Sequence, residues 1–153
     1  MSVSVGIGYD SHRLVEGERL LLGGVEIEHD RGLAGHSDAD VLTHAVIDAV
    51  LGAAGLGDLG TMFPEDEERW RDADSLEMLR TALGGVSGRV LNVDATLICE
   101  QPRIGPHRAE MERRLSEVIS ARVSVKASTN EGMGFIGRGE GIACVAVAAV
   151  EIN

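Results

Sequence analysis

Asp10 and His12 stand two residues apart at the end of an apolar run, and alternate residues of an extended chain point to the same side, so their side chains converge. A second group, His36-Ser37-Asp38-Ala39-Asp40, leads into a helical pattern that carries His44 and Asp48. One carboxylate and two imidazoles make a zinc ligand set, and three protein ligands leave a fourth position for water or substrate, as a catalytic site requires. The competing reading is that Asp10 caps a turn and the histidines lie on the surface. Further along, Gly132-Met133-Gly134-Phe135-Ile136-Gly137 matches the letters of the dinucleotide fingerprint, but a strand follows where that fingerprint needs a helix. What remains is a glycine-rich loop after Lys126-Ala127-Ser128-Thr129, with Glu131 and Arg138 beside it. Its amides, two hydroxyls, one cation and one carboxylate are able to hold a diphosphate and its divalent ion. The alternative is a hairpin loop whose glycines serve only the backbone.

The elements that must position these groups follow from periodicity. Val3 to Tyr9 reads as a strand running into a turn at Asp10 to His12, and Arg19 to Glu28 as a hairpin hinged on Gly23-Gly24. His29 to Gly35 reads as a polar loop, and Ser37 with Asp40 as a capping box. From Asp38 to Ala54, Leu42, Ala45, Val46, Ala49, Val50 and Ala53 recur with helical spacing. Asp40, His44 and Asp48 then form a stripe four residues apart, either a solvated face or a pocket wall. The small residues of this helix admit a close neighbour and favour the wall. Thr61 to Asp74 reads as a mobile surface loop, Ser75 to Leu83 as a short helix, and Arg89 to Glu100 as a strand with Leu91, Val93, Ala95, Leu97 and Cys99 inward. Pro106 opens a helix over Arg108 to Ala121 after the turn Gln101 to His107. Val123 to Thr129 and Gly141 to Ile152 complete the strands, the last apolar on both faces and so buried between layers or against another subunit. The sum is an α+β fold: a two-layer sandwich of a mixed β-sheet with helices packed on it, plus a small β-hairpin.

A chain of 153 residues is most simply one domain, spanning 1–153, that needs no disulfide to fold. Cys99 and Cys144 lie in apolar alternating runs, and the N-terminus has no basic region ahead of a long apolar core, which argues for reduced thiols and a cytoplasmic protein. The longest apolar run, Ile142 to Val150, is too short to cross a bilayer. A net charge of -11 disfavours nucleic acid, while leaving room for a small phosphorylated substrate neutralised by metal ions.

Taken together, Gly8-Tyr9-Asp10-Ser11-His12, Gly23-Gly24-Val25, His36-Ser37-Asp38-Ala39-Asp40, Gly57-Asp58-Leu59-Gly60, Phe63-Pro64 and Gly134-Phe135-Ile136-Gly137-Arg138-Gly139-Glu140-Gly141 resemble, in order and nearly end to end, the 2-C-methyl-D-erythritol 2,4-cyclodiphosphate synthases of the non-mevalonate isoprenoid pathway. The resemblance implies a homotrimer with active sites between subunits. It also implies a cyclising phosphorus-oxygen lyase that acts on 4-diphosphocytidyl-2-C-methyl-D-erythritol 2-phosphate and releases CMP. By resemblance Asp10, His12 and His44 bind zinc, and Glu131 binds a second divalent ion, magnesium or manganese. His36 and Ser37 would contact the phosphate end, with His36 and Thr129 stabilising the transition state. Substrate contacts would include Ser11, as well as Asp58, Leu59, Gly60, Phe63, Pro64, Glu65, Asp66 and Glu67 around the methylerythritol portion. Cys99, Glu100, Gln101, Pro102, Arg103, Ile104 and Gly105 would cradle cytosine, Ser128, Thr129, Asn130 and Glu131 the diphosphate, and Phe135 and Arg138 complete the set. This chain has Glu65-Asp66-Glu67 where the family commonly shows Asp-Thr-Asp, and Ser128-Thr129-Asn130 where three threonines are frequent. Two other classes fit parts of the pattern: a zinc-dependent phosphoester hydrolase, and a non-catalytic trimer that binds isoprenyl diphosphates in an axial cavity faced by Arg138.

Overall fold

A computed structural model describes residues 1–153. Strand β1, Ser2–Glu16, continues straight through Asp10 and His12, so the expected turn there does not exist. It is held by antiparallel pairing along its length to the last strand, Gly141–Ile152, with Asp10 opposite Cys144 and His12 opposite Ile142. The segment His29 to Gly35, expected as a loop, contains a strand at Arg31–Ala34 that pairs with the end of β1. In chain order the strands are β1, β2 (Leu20–Leu22), β3 (Val25–Ile27), β4 (Arg31–Ala34), β5 (Gly88–Ile98), β6 (Arg122–Ser128) and β7 (Gly141–Ile152). The main sheet has the order β4-β1-β7-β5-β6, antiparallel except for the β5 and β6 pair, and is therefore mixed as expected. β2 and β3 form the separate hairpin, turning on Gly23 and Gly24 at φ 60° and 75°, the left-handed region that glycine enters without cost.

The helices are α1 (Val41–Ala54), α2 (Leu59–Met62), α3 (Ser75–Gly84), α4 (Arg108–Ile119) and α5 (Gly134–Gly137). α1 crosses β1 and β7, α3 packs beside α1, and α4 packs beside β6. The approach of α1 to β1 is close because Gly6 and Gly8 present bare backbone; a Cβ at these positions would lie 2.1 Å from the Ala49 carbonyl oxygen and 2.0 Å from that of Ala45. α1 is buried almost all round, with only Asp48, Gly52 and Ala54 outside the core, so it is a central helix rather than one with a polar stripe. Its N-cap is Asp40, whose carboxylate accepts from the Thr43 amide, and not Ser37. Asp48 accepts from the Leu59 amide at 3.0 Å and ties α2 to α1.

Two further expectations shift. The segment Thr61 to Asp74 is built on the end of α2 and a 3₁₀ turn at Glu68–Trp70, with Phe63 buried and edge-on to Trp70 at 4.7 Å between ring centroids. Aromatic packing of this kind anchors a chain that polarity alone would leave as a surface loop. In β5 an irregularity between Val90 and Asn92 breaks the alternation, so Val90 is buried and Leu91 only half-buried. β7 is covered on its helix side by Ile142, Cys144, Ala146, Ala148 and Val150, whereas Val147 on the other side is exposed. There it joins Val3, Val5, Ile7 and Tyr9 of β1 in an apolar strip that no element of the chain covers. Both cysteines are free and buried, as the alternation predicts.

Candidate functional site

Even-numbered residues of β1 face α1, which brings Asp10 and His12 to the helix side, and His44 projects from the first turn of α1 to meet them. Asp40 sets that first turn. Its Oδ1 accepts from the Gly23 and Thr43 amides at 2.9 and 3.0 Å, and its Oδ2 from the Gly24 amide and the Thr43 hydroxyl, both at 2.8 Å. The hairpin turn and the helix start are thus locked to one fully buried carboxylate. Burial pushes the pKa of that carboxyl up, while the amides of Thr43, Gly23 and Gly24 pull it down.

Asp10 Oδ2 lies 2.8 Å from His12 Nε2 and 3.2 Å from His44 Nδ1, and the two ring nitrogens are 3.3 Å apart. The far nitrogen of each ring is engaged. His12 Nδ1 is 3.0 Å from the Ala34 carbonyl oxygen, which can only accept, so Nδ1 keeps a proton and Nε2 is the nitrogen that can give its lone pair to an ion. His44 Nε2 is 2.8 Å from Ser75 Oγ and 3.0 Å from Ser37 Oγ. Three electron-rich atoms so arranged, each histidine braced from behind, could hold a metal ion. Burial opposes charge on Asp10, but hydrogen bonds and charge from His12 and His44 outweigh it and hold the carboxyl at about 2. Burial likewise opposes protonation of His12, and the Asp10 hydrogen bond and charge raise it nonetheless.

A cavity of about 70 Å³ opens on this cluster and is walled by His36, Ser37, Leu59, Phe63 and Glu65 in addition to Asp10, His12 and His44. Trp70 and Met78 also line it, and neither stood out in the sequence. His36 is held by the Asp72 amide on its carbonyl and by its Nε2 at 3.3 Å from the Glu67 carbonyl oxygen. Asp58 caps α2 through the Thr61 amide and hydroxyl, with Gly60 inside that turn. Pro64, Asp66 and Glu67 are not part of the cavity wall, and the Glu67 carboxylate turns to Arg69.

A second concavity, of about 220 Å³, lies where β5 and β6 end side by side, with the Cys99 amide donating to the Ser128 carbonyl. Cys99, Glu100, Pro102, Arg103, Ile104 and Gly105 form one wall and Ser128 and Thr129 the other, while Gln101 turns its carbonyl to the Cys99 thiol. Burial and the neighbouring Glu100 push that thiol up to about 11, which leaves it a poor nucleophile at neutral pH. Asn130 and Glu131 form the turn beyond, where the Glu131 amide donates to Thr129 Oγ1 and the Gly132 amide to Glu100 Oε1. Ser11, on the opposite side of β1 from Asp10, shares a third hollow of about 200 Å³ with Phe135. Arg138 is paired with Glu140 at 2.7 Å.

The profile of the YgbB family matches residues 3–151. The 2-C-methyl-D-erythritol 2,4-cyclodiphosphate synthase of Salinibacter ruber is 53% identical over 153 residues, covering 96% of this chain and 98% of that protein. Among solved structures, the bifunctional IspDF of Campylobacter jejuni superimposes with a TM-score of 0.94 at 35% identity, over 99% of this chain and 43% of that one. A 2C-methyl-D-erythritol-2,4-cyclodiphosphate synthase in its CDP-bound form superimposes with a TM-score of 0.88 at 35% identity, over 96% and 99% of the two chains.

Proposed function

The chain belongs to the YgbB family, with the 2-C-methyl-D-erythritol 2,4-cyclodiphosphate synthases, and from that premise we propose that it cyclises 4-diphosphocytidyl-2-C-methyl-D-erythritol 2-phosphate with release of CMP. The reaction is an in-line attack of the 2-phosphate oxygen on the diphosphate phosphorus remote from cytidine, a lyase chemistry that asks for positioning and charge neutralisation rather than a side-chain nucleophile. The observation that carries this reading is the convergence of Asp10, His12 and His44. Ligands about 2.0–2.1 Å from a tetrahedral zinc ion stand about 3.3 Å from one another, and the three atoms here are separated by 2.8, 3.2 and 3.3 Å. Their donor set therefore fits zinc, with Glu131 the carboxylate for a magnesium or manganese ion. Bound at these positions, divalent ions supply Lewis-acid neutralisation of the phosphoryl oxygens.

The chain's own groups do the rest. His36 and Ser37 orient the phosphate end beside the zinc ligands, and the His36 ring with the Thr129 hydroxyl donates to charge that develops on the transferring phosphoryl group. Leu59, Phe63 and Glu65 enclose the methylerythritol portion and restrict water in the 70 Å³ cavity. Cys99 to Gly105 hold cytosine and Ser128 to Glu131 the diphosphate; the CDP carried by a similar structure supports a cytidine ligand for this cleft. One domain over 1–153 forms a cytoplasmic homotrimer, its subunits meeting on the apolar strip of Val3, Val5, Ile7 and Tyr9, which are 55–69% exposed. No helix is long and apolar enough to cross a membrane.

The test is phosphorus NMR of the product formed from the cytidyl substrate, with and without a chelator. A cyclic diphosphate plus CMP, lost on chelation, is expected. An open-chain phosphate would mean hydrolysis instead, and binding of isoprenyl diphosphates with no CMP release would mean a non-catalytic trimer.

A further inference from the structure

Behind His44 lies a chain of hydrogen bonds that the chemistry above does not use. Ser75, the first residue of α3, is fully buried, and its Oγ stands 2.8 Å from His44 Nε2. The same hydroxyl makes a short hydrogen bond to Asp38 Oδ1, while the Ser75 amide donates to Asp38 Oδ2 at 2.9 Å. Asp38 is itself fixed, its amide donating to the Ala73 carbonyl at 3.1 Å and its Oδ1 accepting from the Asp40 amide at 3.2 Å. A carboxylate has no proton to give. The Ser75 hydroxyl proton therefore goes to Asp38, and the oxygen turns a lone pair towards the imidazole. His44 then carries a proton on Nε2, and Nδ1, which faces Asp10 and His12, is the nitrogen left to ligate an ion. Ser37 Oγ, 3.0 Å from the same nitrogen, has no carboxylate behind it and can serve as donor or acceptor, so it does not decide the tautomer.

We propose that Asp38 and Ser75 are positioning residues that fix the tautomer and orientation of His44, so that the cation site is preset before any ion arrives. This assignment rests on the metal reading of Asp10, His12 and His44. It gives Asp38-Ser75-His44 the same part that the Ala34 carbonyl plays for His12, with opposite ring nitrogens protonated in the two histidines. The relay also joins three elements, since Asp38 precedes α1, Ser75 opens α3 and His44 is a full turn into α1.

The experiment reads tautomer and affinity separately. Long-range proton-nitrogen NMR on the metal-free protein reports which nitrogen of His44 is protonated, and competition with a chromophoric chelator reports zinc affinity. In Asp38→Ala the Ser75 hydroxyl loses the carboxylate that takes its proton. The hydroxyl proton is thereby free to turn to His44 Nε2, and the ring takes its proton at Nδ1, inside the ligand cluster. The expected result is an Nδ1–H tautomer with zinc bound about 10- to 100-fold more weakly. Ser75→Ala should lose less, under about tenfold, because Ser37 still reaches Nε2, and Ser75→Thr should restore wild-type values. Wild-type affinity and an unchanged Nε2–H tautomer in Asp38→Ala would overturn the proposal. Should that variant not fold, the same two unchanged readouts in the double variant Ser37→Ala, Ser75→Ala, which leaves Nε2 without either hydroxyl, would do so. A wild-type protein that takes up no zinc refutes the metal site instead, and the metal-free tautomer still judges the relay.

Discussion

Gly8→Ala tests whether the ligand cluster depends on the closeness of β1 and α1. An added Cβ would stand 2.0 Å from the Ala45 carbonyl oxygen and 2.7 Å from the Ala49 nitrogen. Carbon-oxygen contact begins near about 3.3 Å, so the helix must retreat by roughly 1.3 Å or the strand must buckle. Backbone cannot swing aside as a long side chain can. Overpacking costs about 1–3 kcal/mol, and the stiffer unfolded chain of the alanine variant offsets about 0.4–1 kcal/mol. With backbone as the obstacle the upper end applies, and a net loss of about 2 kcal/mol lowers Tm by about 4–8 °C for a chain of this size. His44 precedes Ala45 and moves with it, whereas metal ligands must hold to within about 0.2 Å, so zinc affinity should fall by more than about tenfold. Melting curves of the metal-free protein and a chelator titration give the two numbers. An unchanged Tm would refute the steric argument, and a lowered Tm with unchanged affinity would refute the coupling of helix seat to ligand geometry.

Four other outcomes are expected. His44→Ala should lose bound zinc and CMP release together, and full activity without zinc would sink the site. Thr129→Ala should lower turnover about 10- to 1000-fold, by analogy with removal of one transition-state donor; a normal turnover would remove Thr129 from the chemistry. Ile7→Glu should separate subunits in light scattering and abolish CMP release while zinc stays bound, since Ile7 faces away from the ligands. In the metal-free protein, Asp10 is held at about 2, so its ion pair contributes about 2 kcal/mol above roughly pH 4, lost as pH falls towards 2. His12 is raised above its ordinary value, so its contribution is complete below about pH 6.5 and is lost as pH rises through the raised pKa. These are one interaction seen from two partners and are not summed. Cation affinity runs the other way, rising with pH across the upper boundary because the His12 proton must leave first. A melting temperature flat from pH 3 to 8 would refute the pairing.

The ligand triad was legible because Asp10 and His12 obey the two-residue repeat of a strand and His44 the repeat of a helix, and neither depends on where the strand ends. The boundary itself was not legible. Tyr9-Asp10-Ser11-His12 is polar enough to read as a turn, and only pairing with Ile142 to Val145 keeps it extended. Spacing puts Asp40 on a stripe because it counts carboxylates without seeing their donors; the amides of Gly23 and Gly24 that hold it come from a hairpin 17 and 16 residues earlier. The link between Asp38 and Ser75 is hidden for the same reason at a longer range, 37 residues. Gly8 stands in a motif and Gly6 in none, and the role the two share lies in the bare backbone on which α1 is seated.

Along one register line the sheet sets Asp10 of β1 beside Cys144, then Leu97, then Ala127 of β6. Three strand spacings amount to about 14 Å, whereas two ions that act on one phosphoryl group stand about 3.5–4 Å apart. The cluster of Asp10, His12 and His44 and the Ser128–Thr129 wall of the proposed nucleotide cleft therefore lie at the same end of the sheet but near opposite edges. Either the turn from Thr129 to Phe135 carries Glu131 back across that distance within one chain, or a neighbouring subunit supplies the second half. Ile7→Glu separates these cases, because it leaves the turn intact and removes only the neighbour. A monomeric variant that still releases CMP would place both halves in a single chain and make the apolar strip irrelevant to catalysis. A monomeric variant that keeps its zinc but is inert would mean that one subunit holds an incomplete site.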